Sequence, residues 1–341
     1  MMIKNLTLEY GLNTILAIAL ALVALLPFYF IFGNTLALWS AIGVFGMPHI
    51  IIATLGLFAA GSRKAVLPFG GAFLLGLLLT VVFYKILPLE FAYFVFFAYF
   101  VWHMLANEQM FEATIVKGGY KIWQNSWPIA ISWGSIVLIL VSFSISAAYL
   151  LKVTSISLII ALWVIFGLSI AVLVYGFFKE KKNKGNIPYG FLSLFVLIFI
   201  PAVLLFGFLA KTGAYIPTVF IALFHFASWY VFYTKRLLKY PKDEQEIGIG
   251  KLFFGWRRNV RQLWLSIAIL QLIFVGVVVL WRNSFAPNVT GLLVAPFWVP
   301  FWTIIHLTVS FLPAKPIIIK SGLPNLSIVT SKLRTNLPVR N

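Results

Sequence analysis

Histidine is the residue type of this sequence that is best suited to chemistry inside an apolar protein. The chain has only four: His49, His103, His225 and His306. Each falls within or at the end of a long apolar segment, where an imidazole without a partner is costly to bury. The first basic residue follows after 14, 14, 10 and 9 residues, respectively. At about 1.5 Å per helical residue, all four rings then lie at depths of roughly 14 to 21 Å.

Four imidazoles at one depth, on four separate segments, predict a shared metal site. Imidazole binds iron, zinc, copper and nickel without help from carboxylates. Two alternatives stay open, namely paired ligation of a haem and four unrelated polar roles. The predicted cofactor is Fe(2+), because neutral ligands leave iron(II) positively charged with open positions where O2 could be activated beside an apolar substrate.

The other titratable residues exclude several chemistries. The chain contains no cysteine, which rules out thiolate ligands and cysteine nucleophiles. All eight acidic residues are predicted at helix ends or in loops. This distribution argues against ion-coupled carriers built on buried carboxylates, and against iron sites made of two histidines and a carboxylate.

Polar side chains close to the histidines in sequence are candidates to orient the imidazole rings. They are Asn107, Glu108, Ser228 and Ser310. A hydrogen bond from such a residue would select the tautomer of the ring and raise its basicity. Asn107 and Glu108 would equally mark the point where a helix meets water.

Aromatic clusters surround three of the four histidines and predict the wall of a substrate tunnel. The candidates are Phe96, Tyr99, Trp229 and Trp302. Large apolar walls with few polar groups suit a long, rigid, lipid-soluble polyene. The same residues would also serve as ordinary core and as interfacial belts of a membrane protein.

Composition shows which elements must position these residues. Of the 341 residues, 62% are hydrophobic and 10% are charged, which excludes an ordinary soluble domain. Ten stretches are long enough to span a membrane: 12–32, 35–60, 66–87, 89–107, 128–150, 153–178, 188–210, 213–234, 263–281 and 291–312. We therefore predict an all-α polytopic protein with one transmembrane domain, 1–312, and a basic cytoplasmic tail, 313–341. We interpret the run at 12–26 as a retained helix and not as a cleaved signal peptide.

Charge predicts the orientation of these helices. The chain has 26 basic and 8 acidic residues. With the N-terminus on one side, the predicted loops place 22 basic residues on that side and 4 on the other. The positive-inside rule then puts both termini in the cytoplasm, in a multi-pass protein of the cell membrane. The excess charge indicates contact with anionic lipid headgroups and not with nucleic acid.

Two short segments resemble those of a known family. Gly46–His49 (Gly-Met-Pro-His) and Trp102–Glu108 (Trp-His, with an acidic residue five positions after the histidine) are similar to elements of the Brp/Blh-type membrane β-carotene 15,15′-dioxygenases. Four positions differ from the residues usual in that family: Ile50, Ala53, Met104 and Leu105.

The resemblance implies a multi-span helical protein that holds one iron through histidines of different helices. His225 and His306 would then correspond to the later ligands. It also implies that O2 cleaves a carotenoid-like polyene to a retinal-like aldehyde, so that the partners would be a lipid-soluble polyene and O2. Two other functions remain open, a metal-free lipid transporter or flippase and a bis-histidine haem cytochrome of the membrane.

Overall fold

The described part of the protein is almost entirely helical. The computed structural model describes residues 12–25, 35–60, 63–87, 89–117, 129–150, 154–184, 215–239, 260–294 and 298–310. These residues form ten α-helices and one short π-helix, Val82–Ile86, and contain no strand, which confirms the all-α prediction. The helices are α1 (Leu12–Leu25), α2 (Thr35–Ala60), α3 (Arg63–Val81), α4 (Leu89–Lys117), α5 (Ile129–Leu150), α6 (Ile156–Lys184), α7 (Tyr215–Lys239), α8 (Val260–Arg282), α9 (Pro287–Val294) and α10 (Trp298–Ser310).

Several helix boundaries differ from the predicted stretches. Helix α4 continues ten residues past the predicted end at Asn107, to Lys117. The predicted stretch 291–312 is divided into α9 and α10, and residues 295–297 between them lie outside the described part. The predicted stretch 188–210 and the tail 313–341 also lie outside the described residues.

Two of the described helices could cross a membrane by length and composition. These segments are Ile156–Lys182 of α6 and Val260–Arg282 of α8. Both helices leave large apolar side chains exposed, among them Leu158, Ile160, Leu168, Leu265, Ile269 and Leu272. Exposed apolar surface of this extent is typical of a contact with a membrane or with another protein.

Helix α2, which carries His49, packs against two other helices that carry histidines, and the fourth such helix, α4, contacts α10. Helix α2 contacts α7, α8 and α10, and α10 also contacts α3 and α4. Helices α5 and α6 form a pair that meets the rest through α4. Gly76 lets α3 approach α10 closely, because a Cβ at this position would stand 3.0 Å from the Cα of Ile305. The residue after Ile305 is His306, so this contact determines the position of one histidine.

Candidate metal centre

The four histidines lie together in the interior of the helical bundle. The ring centroids are 5.3 Å apart for His49 and His225 and 5.2 Å for His225 and His103. They are 5.4 Å apart for His103 and His306 and 4.9 Å for His306 and His49. Every histidine thus contacts two others in a closed ring of four, and none is more than 4% exposed. Side chains from four helices thus meet at one place in the bundle.

The spacing of the rings matches that of imidazoles around one metal ion. A nitrogen about 2.1 Å from the metal places its ring centroid about 3.2 Å from it, so two ligand rings lie about 4.6 Å apart at a right angle and about 5.3 Å at the tetrahedral angle. The four observed distances, 4.9–5.4 Å, lie in or next to that interval. The Nε2 atoms of His49 and His306 are 3.2 Å apart, as for two ligands about 100° apart on one ion.

Several imidazole nitrogens of this cluster have no hydrogen-bond partner among the described residues. They are both nitrogens of His225 and the Nδ1 atoms of His49 and His306. A buried polar atom without a partner costs about 1–3 kcal/mol, and native proteins almost always satisfy such atoms. The cluster is therefore chemically suited to a ligand that accepts electron pairs from nitrogen.

The rings would have to turn to bind a metal together. Within the described residues, no group of three or more histidine or acidic side chains could hold a metal ion as placed. Imidazoles change direction by rotation about two side-chain bonds, so four nitrogens can be re-aimed without moving the helices. The backbone thus brings the four side chains together, while the ring of His49 is hydrogen-bonded to that of His306 and the ring of His103 to Asn107.

Asn107 lies one helical turn after His103 and contacts its ring. The amide Nδ2 is 2.9 Å from Nε2 of His103. In this orientation the amide donates and Nε2 accepts, which leaves the ring proton on Nδ1. Asn107 thus selects the tautomer that exposes a nitrogen lone pair, and a metal would compete with the amide for that nitrogen.

Glu108 is a buried acidic residue in the interior of α4. Its side chain is 1% exposed, and its Oε1 accepts a hydrogen bond from the hydroxyl of Ser228 at 2.7 Å. The expectation that every acidic residue lies at a helix end or in a loop is wrong here, because α4 continues to Lys117. The polar run after His103 is typical of a helix end, but a hydroxyl from α7 allows the carboxylate to be buried. Ser310, the other serine candidate, donates to the backbone carbonyl of His306 at 2.7 Å.

One of the four candidate tunnel residues has a ring contact with a histidine in the structure. Trp229 stands edge-on to His49, with the ring centroids 4.8 Å apart. Of the other three, Phe96 packs against the cluster of Phe83 and Ile304, Tyr99 donates to Thr308 at 3.3 Å, and Trp302 donates to the carbonyl of Leu292 at 2.9 Å.

Two neighbours of the histidines were not predicted from the sequence. The hydroxyl of Tyr230 donates to the backbone carbonyl of Phe45 at 2.9 Å, one turn before His49. Phe226 lies 5.3 Å from the ring of His49 and packs over Gly46, where a Cβ would stand 2.7 Å from its ring. Pro48 does not signal the Tyr230 contact, since its missing N–H leaves the carbonyl of Val44, and not that of Phe45, without a helical donor.

No protein-family model, no curated protein and no solved structure matches this chain. Its function is therefore inferred from the geometry of the histidine cluster and the composition of the helices around it.

Proposed function

We propose that this chain is a multi-pass protein of the cell membrane that binds one iron(II) ion through His49, His103, His225 and His306. We further propose that it uses O2 to cleave a carotenoid-like polyene into retinal-like aldehydes. The observation that carries the proposal is the ring of four buried imidazoles, whose neighbouring centroids are 4.9–5.4 Å apart.

Composition and charge support the membrane location. The two long apolar helices, α6 and α8, expose large apolar side chains along most of their length. A bilayer would cover these faces and would also require every backbone group to be paired, as it is within helices. The predicted excess of basic residues on one side, 22 against 4, would orient the protein and attract anionic lipids.

The arrangement of the rings favours a single ion over a haem. Two axial imidazoles on one haem iron stand on opposite faces of the macrocycle, with centroids about 6.4 Å apart. The macrocycle would have to occupy the plane between them. Here the other two histidines would occupy part of that plane, because each ring of the cluster contacts two neighbours at 5.4 Å or less.

The chemical character of the site supports an oxygenase acting on an apolar substrate. When bound, iron(II) would supply the activation of O2. The reaction balances without a further reductant, since one carbon–carbon double bond and one O2 give two carbonyl groups. Around the cluster, Phe100 lies 5.7 Å from His225, and Phe226 and Trp229 lie 5.3 and 4.8 Å from His49. Such aromatic walls suit a rigid polyene.

Metal analysis of the purified protein tests the site independently of any activity. We expect about one iron per chain, and Co(II) substitution should give the visible bands of a nitrogen-ligated ion. Alanine at any one of the four histidines should abolish both signals. Ser135→Ala is the matched control, because Ser135 is buried but its hydroxyl bonds only its own helix, at the carbonyl of Ile131. Metal below about 0.2 per chain in repeated preparations would support the metal-free lipid transporter instead.

Isotope labelling tests the reaction. The iron-loaded protein in lipid nanodiscs is incubated with β-carotene under 18O2, and the products are reduced at once to alcohols to prevent exchange with water. Dioxygenase chemistry predicts one labelled oxygen in each product molecule. Unlabelled products, or no cleavage by a protein that retains its iron, would refute the proposed reaction and leave the metal site standing.

A further inference from the structure

The buried pair Glu108–Ser228 lies on the same two helices as one pair of histidines. His103 and Glu108 belong to α4, and His225 and Ser228 belong to α7. The two imidazoles are 5.2 Å apart, and the carboxylate accepts the serine hydroxyl at 2.7 Å. Two contacts between the same pair of helices, both buried, fix the position of the carboxylate relative to the histidine cluster.

The helical register places this carboxylate close to the cluster. Glu108 follows His103 by five residues and Ser228 follows His225 by three, which corresponds to about 7.5 and 4.5 Å along the helix axes. Along both helices the contact therefore lies within about one and a half turns of an imidazole.

We infer that Glu108 is the counter-anion of the metal centre, and that its charge makes the centre selective for divalent over monovalent cations. This inference rests on the metal site proposed above. Four neutral imidazoles leave a divalent ion with two uncompensated positive charges inside an apolar bundle, where an unpaired charge is very costly. A carboxylate one or two helical turns away lowers that cost by direct attraction.

The charge dependence of Coulomb attraction gives this role a quantitative signature. The attraction between a carboxylate and a cation is proportional to the charge of the cation. Glu108→Gln removes the charge and keeps an oxygen that can accept the Ser228 hydroxyl. We expect about 10- to 100-fold weaker binding of Co(II), the range found when groups outside the ligand set of a metal are changed. For Cu(I) the expected loss is the square root of that factor, about 3- to 10-fold.

Three further variants separate charge from hydrogen bonding. Ser228→Ala removes the hydrogen bond and keeps the charge, so binding of Co(II) should change less than for Glu108→Gln. Glu108→Asp should recover most of the lost affinity, because it restores the charge. Glu180→Gln is the matched control, since Glu180 is also buried, at 8% exposed, but belongs to α6, which packs mainly against α5. Affinities are measured by chelator competition, with the visible Co(II) spectrum as a second readout.

The outcomes separate this inference from the function on which it depends. If the unaltered protein binds neither metal, the proposed function fails. If it binds both and Glu108→Gln binds Co(II) within twofold of the unaltered protein, only the role of Glu108 is refuted. Equal losses for Co(II) and Cu(I), or a loss in Ser228→Ala as large as in Glu108→Gln, would show a structural role and overturn the inference. A comparable loss in Glu180→Gln would do the same.

Discussion

Substitution of Gly76 by alanine is expected to disturb the metal centre from the neighbouring helix. The added Cβ would stand 3.0 Å from the Cα of Ile305 and 3.3 Å from its Cγ1. Carbon atoms prefer about 3.5–4.0 Å, so α10 must move away from α3 by about 0.5 Å. Rotation of a side chain cannot relieve a clash with the backbone Cα of Ile305, and His306 is the next residue. Its ring would move with the backbone.

The size of the effect follows from two opposing contributions. Overpacking of a close contact costs about 1–3 kcal/mol, whereas alanine is favoured over glycine within a helix by about 1 kcal/mol. We therefore expect Gly76→Ala to lower the free energy of unfolding by about 1 kcal/mol. Metal sites tolerate deviations of about 0.2 Å in ligand distance, so a shift of about 0.5 Å at His306 should weaken binding of Co(II) about tenfold.

Gly71→Ala is the matched control for this experiment. Gly71 lies in the same helix, and a Cβ built there meets nothing within 4 Å. Both variants are compared by thermal unfolding and by Co(II) titration in the same lipid or detergent. Gly71→Ala should bind Co(II) like the unaltered protein. If Gly76→Ala does so too while remaining folded, the argument that α3 positions His306 is incorrect.

Two further predictions concern the contacts around His49, and a third concerns the pH dependence of metal binding. Tyr230→Phe removes the hydroxyl bond to the carbonyl of Phe45 and should lower stability by about 1 kcal/mol in thermal unfolding; an unchanged unfolding temperature would contradict this role. Gly46→Ala forces a Cβ to 2.7 Å from the ring of Phe226 and should weaken Co(II) binding, while the double variant with Phe226→Leu should recover part of it; strictly additive losses would argue against the clash. Acidification from about pH 7.5 to pH 5 should release bound metal, because protons compete for the nitrogen lone pairs of the ligands; retention of Co(II) at pH 5 would count against an all-histidine site.

The sequence was sufficient to predict that the protein is helical and that its histidines converge. The chain is 62% hydrophobic and carries its four histidines on four apolar segments. An imidazole buried there needs a polar partner, and the other histidines are candidates for that partner. Depth could be counted, because helical rise per residue is nearly constant. Asn107 could also be placed beside His103, since residues four apart share one face of a helix.

Contacts between helices were beyond prediction from the sequence. Glu108 accepts a hydrogen bond from Ser228, which is 120 residues away in the chain and on another helix. The same holds for Tyr230, whose hydroxyl reaches a carbonyl of α2. Local pattern describes which residues share a face of one helix, but not how that face is rotated against the next helix.

The amino-acid sequence by itself therefore determined the helical class and placed the four histidines on four separate apolar segments. Only the tertiary structure decided that the rings of His49, His225, His103 and His306 follow one another in a closed ring, and that a carboxylate is buried one or two turns away. The physical reason is that hydrophobicity and helical rise act along a single segment, whereas ring contacts depend on helix rotation and close packing. That packing is set by residues such as Gly46 and Gly76 at the points of closest approach.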